Sequence, residues 1–150
     1  MSKKEQAICH YWFMAEGVRC TINTKFPIPV RHGTVLAGVL HDLNRHHIWY
    51  ALLYVLIEGY RAMKDVHASE KIEGFLSDED RISHLRLFRN AVFHFQDEPY
   101  HDKMLSFASS PGVEAWALAL HEAMKDYCDT VFPGFERLAE LKIEFSIGAV

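Results

Sequence analysis

Cysteine is scarce: there are three in 150 residues, at positions 9, 20 and 128, with no CxxC spacing among them. That excludes a disulfide framework and a four-cysteine zinc site, and it fits a reducing cytosol. A long apolar run is also missing. The longest, over 48–57, stops at Glu58 and is too short to span a bilayer. No apolar run leads from the N-terminus into a small-residue cleavage site, so a cytoplasmic location and no membrane association are expected. Basic residues do not dominate. Sixteen Lys+Arg against twenty Asp+Glu leave a net charge of −4. This excludes broad coating of nucleic acid but leaves room for a small site that grips one phosphate. Ten histidines can move the charge toward neutral or positive in mild acid.

Several chemistry-bearing patterns are absent too. There is no phosphate-cradling glycine loop, no dinucleotide-binding fingerprint and no nucleophile elbow. His121-Glu122 is not followed by the second histidine of HExxH, and Glu98 and His101 form a lone ExxH without the paired copy of a di-iron bundle. His41 and His46 do not have the i, i+4 spacing of a helical metal pair. No metal and no cofactor are expected.

What remains reads as helix nearly throughout. Glycine and proline are few, eight and five, and fall mostly where breaks are wanted. An apolar fraction of 49% supports a packed core, and the length supports one domain over 1–150. Ser2 and Glu5 form a capping box for a first helix to about residue 20, with Ile8, Tyr11, Trp12 and Ala15 at helical spacing. Residues 23–29, with two prolines, are a loop. A helical region begins near 34, with Asn44 the candidate interruption, and 45–63 is its strong part. Gly59 inside it costs on the order of 1 kcal/mol relative to Ala, which points to a close helix approach. Residues 64–77 form a mixed connection with one short helix. Ser77 and Asp80 give a second capping box, opening a helix over 78–95. Residues 96–99 end it, because the residue before a proline leaves the helical region. A further helix spans 113–132, and the tail carries a helical piece over 135–142 and a strand-like or frayed stretch over 142–147. The expected fold is all-α, an antiparallel bundle of four to five principal helices with short extra helices.

The helix over 78–95 carries the signal. Ile82, Leu85, Phe88, Val92 and Phe95 fall on one stripe, which should face the core. Arg86, Asn90 and His94 stack along a second stripe, well away from the first. Arg89 sits on the flank of the core stripe. Leu87 and Phe93 lie beside the polar stripe, and large apolar residues there suggest a covered surface. The simplest cover is the same helix from a second copy across a two-fold axis, which would bring two sets of Arg89, Asn90 and His94 into one cleft.

Such a cleft has a definite chemistry. A neutral imidazole can accept a proton, and a guanidinium can hold phosphate oxygens in bidentate fashion. Asn90 can orient the imidazole or donate to an oxyanion. A base, a phosphate clamp and no metal together fit RNA cleavage, with the ribose 2′-hydroxyl as the nucleophile. No serine or cysteine nucleophile is then needed.

The segment Arg89-Asn90-Ala91-Val92-Phe93-His94 resembles the Arg–four-residue–His motif of the HEPN superfamily. The preceding ALLYVLIEGY over 51–60 looks like the core helix of some HEPN groups, and FQDEPY over 95–100 is similar in style to the segment after the motif. The specific likeness covers about residues 48–102. It implies a helical bundle, a homodimer with facing motifs, and a metal-independent endoribonuclease, often a toxin or antiphage defence effector with an antitoxin or defence-system partner. Catalysis would rest on Arg89, Asn90 and His94, with Arg86 and Glu58 supporting or binding RNA. Members paired with a nucleotidyltransferase antitoxin often carry an AMP-accepting tyrosine two residues after the histidine. Here that position is Gln96, which leaves such silencing, and that type of antitoxin, without its acceptor.

Plainer readings stand beside these. Some HEPN members are non-catalytic, so the alternative is a dimerisation or nucleotide/RNA-binding module. A purely structural bundle with a coincidental motif is a third reading. Arg86 has no acidic residue three or four positions away on its helix, and it reads either as an RNA-backbone contact or as a surface charge. Glu58 reads either as an orienting partner for the histidine or arginine or as a surface carboxylate near Arg61. The three cysteines read as buried small apolar residues. His41, His46 and His47 read as loop or surface histidines. Tyr11, Trp12, Phe13, Trp49, Tyr50, Phe88 and Trp116 read as core or interface. These adjacent aromatics cannot all face one core, which again hints at oligomerisation.

Overall fold

The computed structural model describes residues 2–22, 24, 34–98 and 101–133, with backbone alone over 34–39. The described residues form six α-helices and no strand. The fold is an all-α bundle, with four longer helices and two of seven residues among the described residues.

Helix α1 (Lys3–Thr21) opens on the expected capping box. The Ser2 hydroxyl accepts from the Glu5 amide at 3.2 Å, and Glu5 accepts from the Ser2 amide at 2.6 Å. Its buried stripe is Ile8, Cys9, Trp12 and Ala15, while Tyr11 turns outward. Helix α2 (Thr34–Arg61) runs unbroken through Asn44, so the interruption expected there is absent. His41, His46 and His47 consequently sit on a helix rather than in a loop. His47 is half-buried, with its ring edge-on to Phe88 at 5.4 Å. Arg45, itself buried, donates to the carbonyls of Thr21 and Thr24 and so satisfies acceptors at the end of α1.

Gly59 marks the close approach that the sequence predicts. A Cβ at that position would lie 3.3 Å from Ile8 Cγ1, so α1 and α2 touch there almost backbone to side chain. After a turn, α3 (Glu70–Leu76) is capped by Ser69. Ser77 is then the C-cap of α3, and Asp78, not Ser77, caps α4 (Glu79–Phe93) by accepting from the Arg81 amide at 3.1 Å. Helices α5 (Asp102–Ala108) and α6 (Val113–Val131) complete the order, with Gly112 at φ +69 turning the chain into α6.

One buried cluster draws on all six helices. Helix α2 packs against α1, α4 and α6. Tyr50, Phe88 and Phe107 meet ring to ring at 5.4–6.0 Å between centroids and lock α2, α4 and α5 together. Phe88 is fully buried, and truncating such a side chain costs about 3–5 kcal/mol. That anchor fixes the rotation of α4, and hence which of its side chains face outward.

Two further expectations change. Cys20 is exposed, whereas Cys9 and Cys128 are buried as expected. Phe95, placed on the core stripe by spacing, is 92% exposed, because α4 ends before reaching it. The loop expected over 23–29, apart from Thr24, and the tail elements over 135–147 lie outside the described residues.

Candidate functional site

The stripe on α4 is placed by its core side. Ile82, Leu85, Phe88 and Ala91 are buried, so Arg86 is left exposed and Arg89 and Asn90 sit at the rim. Two of the candidate residues come together. The Arg89 guanidinium Nη2 donates to Glu58 Oε1 at 2.5 Å, across from α4 to α2. Glu58 therefore pairs with Arg89, and no ion pair joins it to Arg61 among the described residues. The same guanidinium lies over the Tyr54 ring, 5.1 Å from its centroid. Tyr54 and Glu58 are four residues apart and so share one face of α2. They form a cradle: a π face on one side and a carboxylate on the other. Tyr54 was not singled out from sequence, although its i, i+4 relation to Glu58 is the signal that points to it.

One donor in this cradle is left over. Arg89 Nε is buried and has no hydrogen-bond partner among the described residues. Leaving a buried donor unmade costs about 1–3 kcal/mol. Glu58 engages only Nη2, so Nε keeps an unmatched hydrogen, and a guanidinium can hold an oxyanion through its N–H groups.

His94 stands elsewhere on the chain path than spacing predicts. It is the C-cap of α4, in extended conformation (φ −119, ψ 144), with its amide donating to Asn90 O. It therefore does not continue the Arg86–Asn90 stripe as a helical residue. The cause is local. No basic side chain occupies the last turn of α4, and Asp97 and Glu98 follow it, which disfavours further helix at the negative end of the dipole. The Gln96 amide instead donates to the carbonyls of His94 and Phe95, at 3.0 and 3.1 Å. The His94 side chain is exposed, and neither it nor Asn90 makes a side-chain hydrogen bond to another described residue. Within the single chain, then, Arg89 and Glu58 are joined, while Asn90 and His94 are left open. Phe93, 50% exposed, and Phe95 flank His94 as unsheltered aromatic surface.

A second polar cluster escaped the sequence reading. His121, on α6, is fully buried. Its Nε2 donates to Glu16 Oε2 at 2.9 Å, and its Nδ1 accepts from Trp49 Nε1 at 3.3 Å. Its backbone carbonyl accepts from Trp12 Nε1 at 3.2 Å. Arg19 grips Glu16 with two bonds of 2.6 and 2.7 Å. Burial works against the Glu16 charge, but the Arg19 and Cys20 hydrogen bonds and the Arg19 charge outweigh it and bring its pKa down to about 2. Burial pushes the His121 pKa below its ordinary value, with Glu16 opposing in part. The imidazole is thus a neutral pin joining α1, α2 and α6, a structural role. Among the described residues no group of three or more potential ligands converges on a metal position. No described helix is long and apolar enough to cross a membrane.

No family model, curated protein or solved structure matches the chain.

Proposed function

We propose that the protein is a HEPN-type, metal-independent endoribonuclease that works as a homodimer. The observation that carries this reading is the Arg89 cradle: a guanidinium held by Tyr54 and Glu58 whose buried Nε is left without an acceptor. A phosphodiester oxygen supplies the missing acceptor. His94 is the general base, Arg89 the phosphate clamp and Asn90 the positioning residue.

The step balances without a cofactor. His94 takes the proton of a ribose 2′-hydroxyl, and the 2′-oxygen forms a bond to the adjacent phosphorus. The bond from phosphorus to the 5′-oxygen breaks, and that oxygen takes a proton from water or from the second histidine of the dimer. Arg89 stabilises the charge gathering on the non-bridging oxygens. The products are a 2′,3′-cyclic phosphate and a 5′-hydroxyl. Arg89 pairs with Glu58 and His94 is exposed at the end of α4 among Phe93 and Phe95, so a second copy covering that surface is what completes the cleft. A role as a toxin or defence effector in the cytoplasm follows from the same reading.

A non-catalytic binding module is the second reading. It is favoured by the Glu58 carboxylate, which already occupies part of the clamp. End-group analysis of RNA incubated with purified protein in EDTA separates the two. Cyclic phosphate termini mark the enzyme; RNA bound intact marks the module.

A further inference from the structure

A second opening lies one turn before Arg89, between α2 and α4. Its volume is about 300 Å³, at the small end of ligand pockets. Arg61 enters it from α2, and Ser83 and Arg86 from α4, over a floor that includes Ile82. Tyr54, whose ring carries the Arg89 guanidinium, lines it too, so this cavity and the Arg89 cradle share a wall.

The charges in it are unbalanced. Neither Arg61 nor Arg86 has an ion-pair partner among the described residues. Glu58, one turn from Arg61 on the same helix, is committed to Arg89. Glu79 is the single carboxylate on the wall, against two guanidiniums. Like charges from two helices facing one cavity repel, and ordinary helix pairing gives no return for placing them there. Two guanidinium forks beside a serine hydroxyl form an oxyanion receptor. Along α4, Arg86 and Arg89 are three residues apart, an axial step of about 4.5 Å. A nucleic-acid strand lying along the α2–α4 seam meets the two arginine sites in succession, as in grooves that track a single-stranded backbone.

We propose that this cavity is a phosphate subsite, in which Arg61 and Arg86 hold the RNA phosphate next to the one gripped by Arg89. The inference rests on the ribonuclease reading for the identity of the ligand, but the capture of an oxyanion here stands on the cavity alone. Two probes keep these apart. Fluorescence anisotropy of a 2′-O-methyl RNA oligonucleotide, which cannot be cleaved, gives affinity across a salt series. Phosphorus NMR line broadening of inorganic phosphate gives anion capture without RNA. Arg61→Ala and Arg86→Ala should each weaken the oligonucleotide about tenfold and lower the salt slope by about 0.7, and should remove the broadening. Arg81→Ala, whose guanidinium lies over Trp116, should change neither. An oligonucleotide that binds equally well to both variants overturns the subsite and leaves the ribonuclease reading intact. Phosphate captured through Arg61 and Arg86 with no RNA bound upholds an oxyanion site and overturns the ribonuclease reading. Capture of neither overturns both.

Discussion

Arg89 of α4 and Glu58 of α2 are joined by a 2.5 Å ion pair that ties the motif helix to the longest helix of the bundle. The pair is part-exposed, and such pairs contribute about 0–1 kcal/mol. Its consequence is orientation more than stability: it fixes the guanidinium over Tyr54 while occupying one of its donors.

Glu58→Gln tests that division of labour. The amide oxygen keeps an acceptor for Nη2, but the competing negative charge is gone. Stability should change by less than about 1 kcal/mol in urea unfolding. KM for RNA should fall about threefold to tenfold, because the phosphate no longer shares the guanidinium with a negatively charged carboxylate. A rise in KM would show that Glu58 helps to bind substrate.

Phe93 and Phe95 border His94 on open surface. The proposed dimer would cover them, and each fully buried phenylalanine brings roughly 1.5–3 kcal/mol. The double change Phe93→Ser, Phe95→Ser should weaken self-association by at least about tenfold in sedimentation equilibrium. Because Phe95 makes no core contact, the unfolding free energy of the monomer should move by no more than about 1 kcal/mol. An undiminished dimer would place the interface on another face.

Acid should loosen the fold in two stages. The His121 pKa lies below its ordinary value of 6.5 in the folded chain, so on acidification the unfolded chain binds a proton that the folded chain refuses. Stability should therefore fall as pH drops below about 7. His47, lowered by burial and by the charge of His46, adds to the same slope. Glu16 is depressed from 4.5 to about 2, so its contribution is present above 4.5 and is lost as pH falls toward 2. In urea titrations, His121→Gln should be less stable at neutral pH and should show a shallower loss between about pH 7 and 5.

The cysteines give a direct check on packing. Cys20 is exposed, and the Glu16 hydrogen bond pushes its thiol pKa up. Cys9 and Cys128 are buried against each other, and their shared hydrogen bond pushes the Cys128 thiol up as well. A thiol reagent should modify one cysteine in the native protein, more slowly than a free thiol, and three after denaturation.

The helices were legible because their punctuation is strong. The Ser2–Glu5 box, the start expected at 78 and the span expected over 113–132 lie within a residue or two of the boundaries found. The end of α4 was not legible from periodicity. The apolar pattern runs on through Phe95, while the backbone yields to side-chain bonds from Gln96 and to the acidic residues beyond. That shift decides where His94 points. The Arg89–Glu58 contact could be anticipated as one of two options, since Glu58 interrupts an apolar face. Tyr54 is buried, and its contact with the Arg89 guanidinium depends on the rotation between α2 and α4, which spacing along one helix does not give. The His121–Glu16–Trp49 pin spans more than a hundred residues of sequence and leaves no local trace.

The most direct measurement compares RNA cleavage by the wild-type protein and by His94→Ala in the presence of EDTA, with circular dichroism and sedimentation confirming that both are folded and associated alike. The wild type should cleave to cyclic phosphate ends and the variant should not. Equal cleavage by the two proteins, or intact RNA in both, contradicts the proposed function.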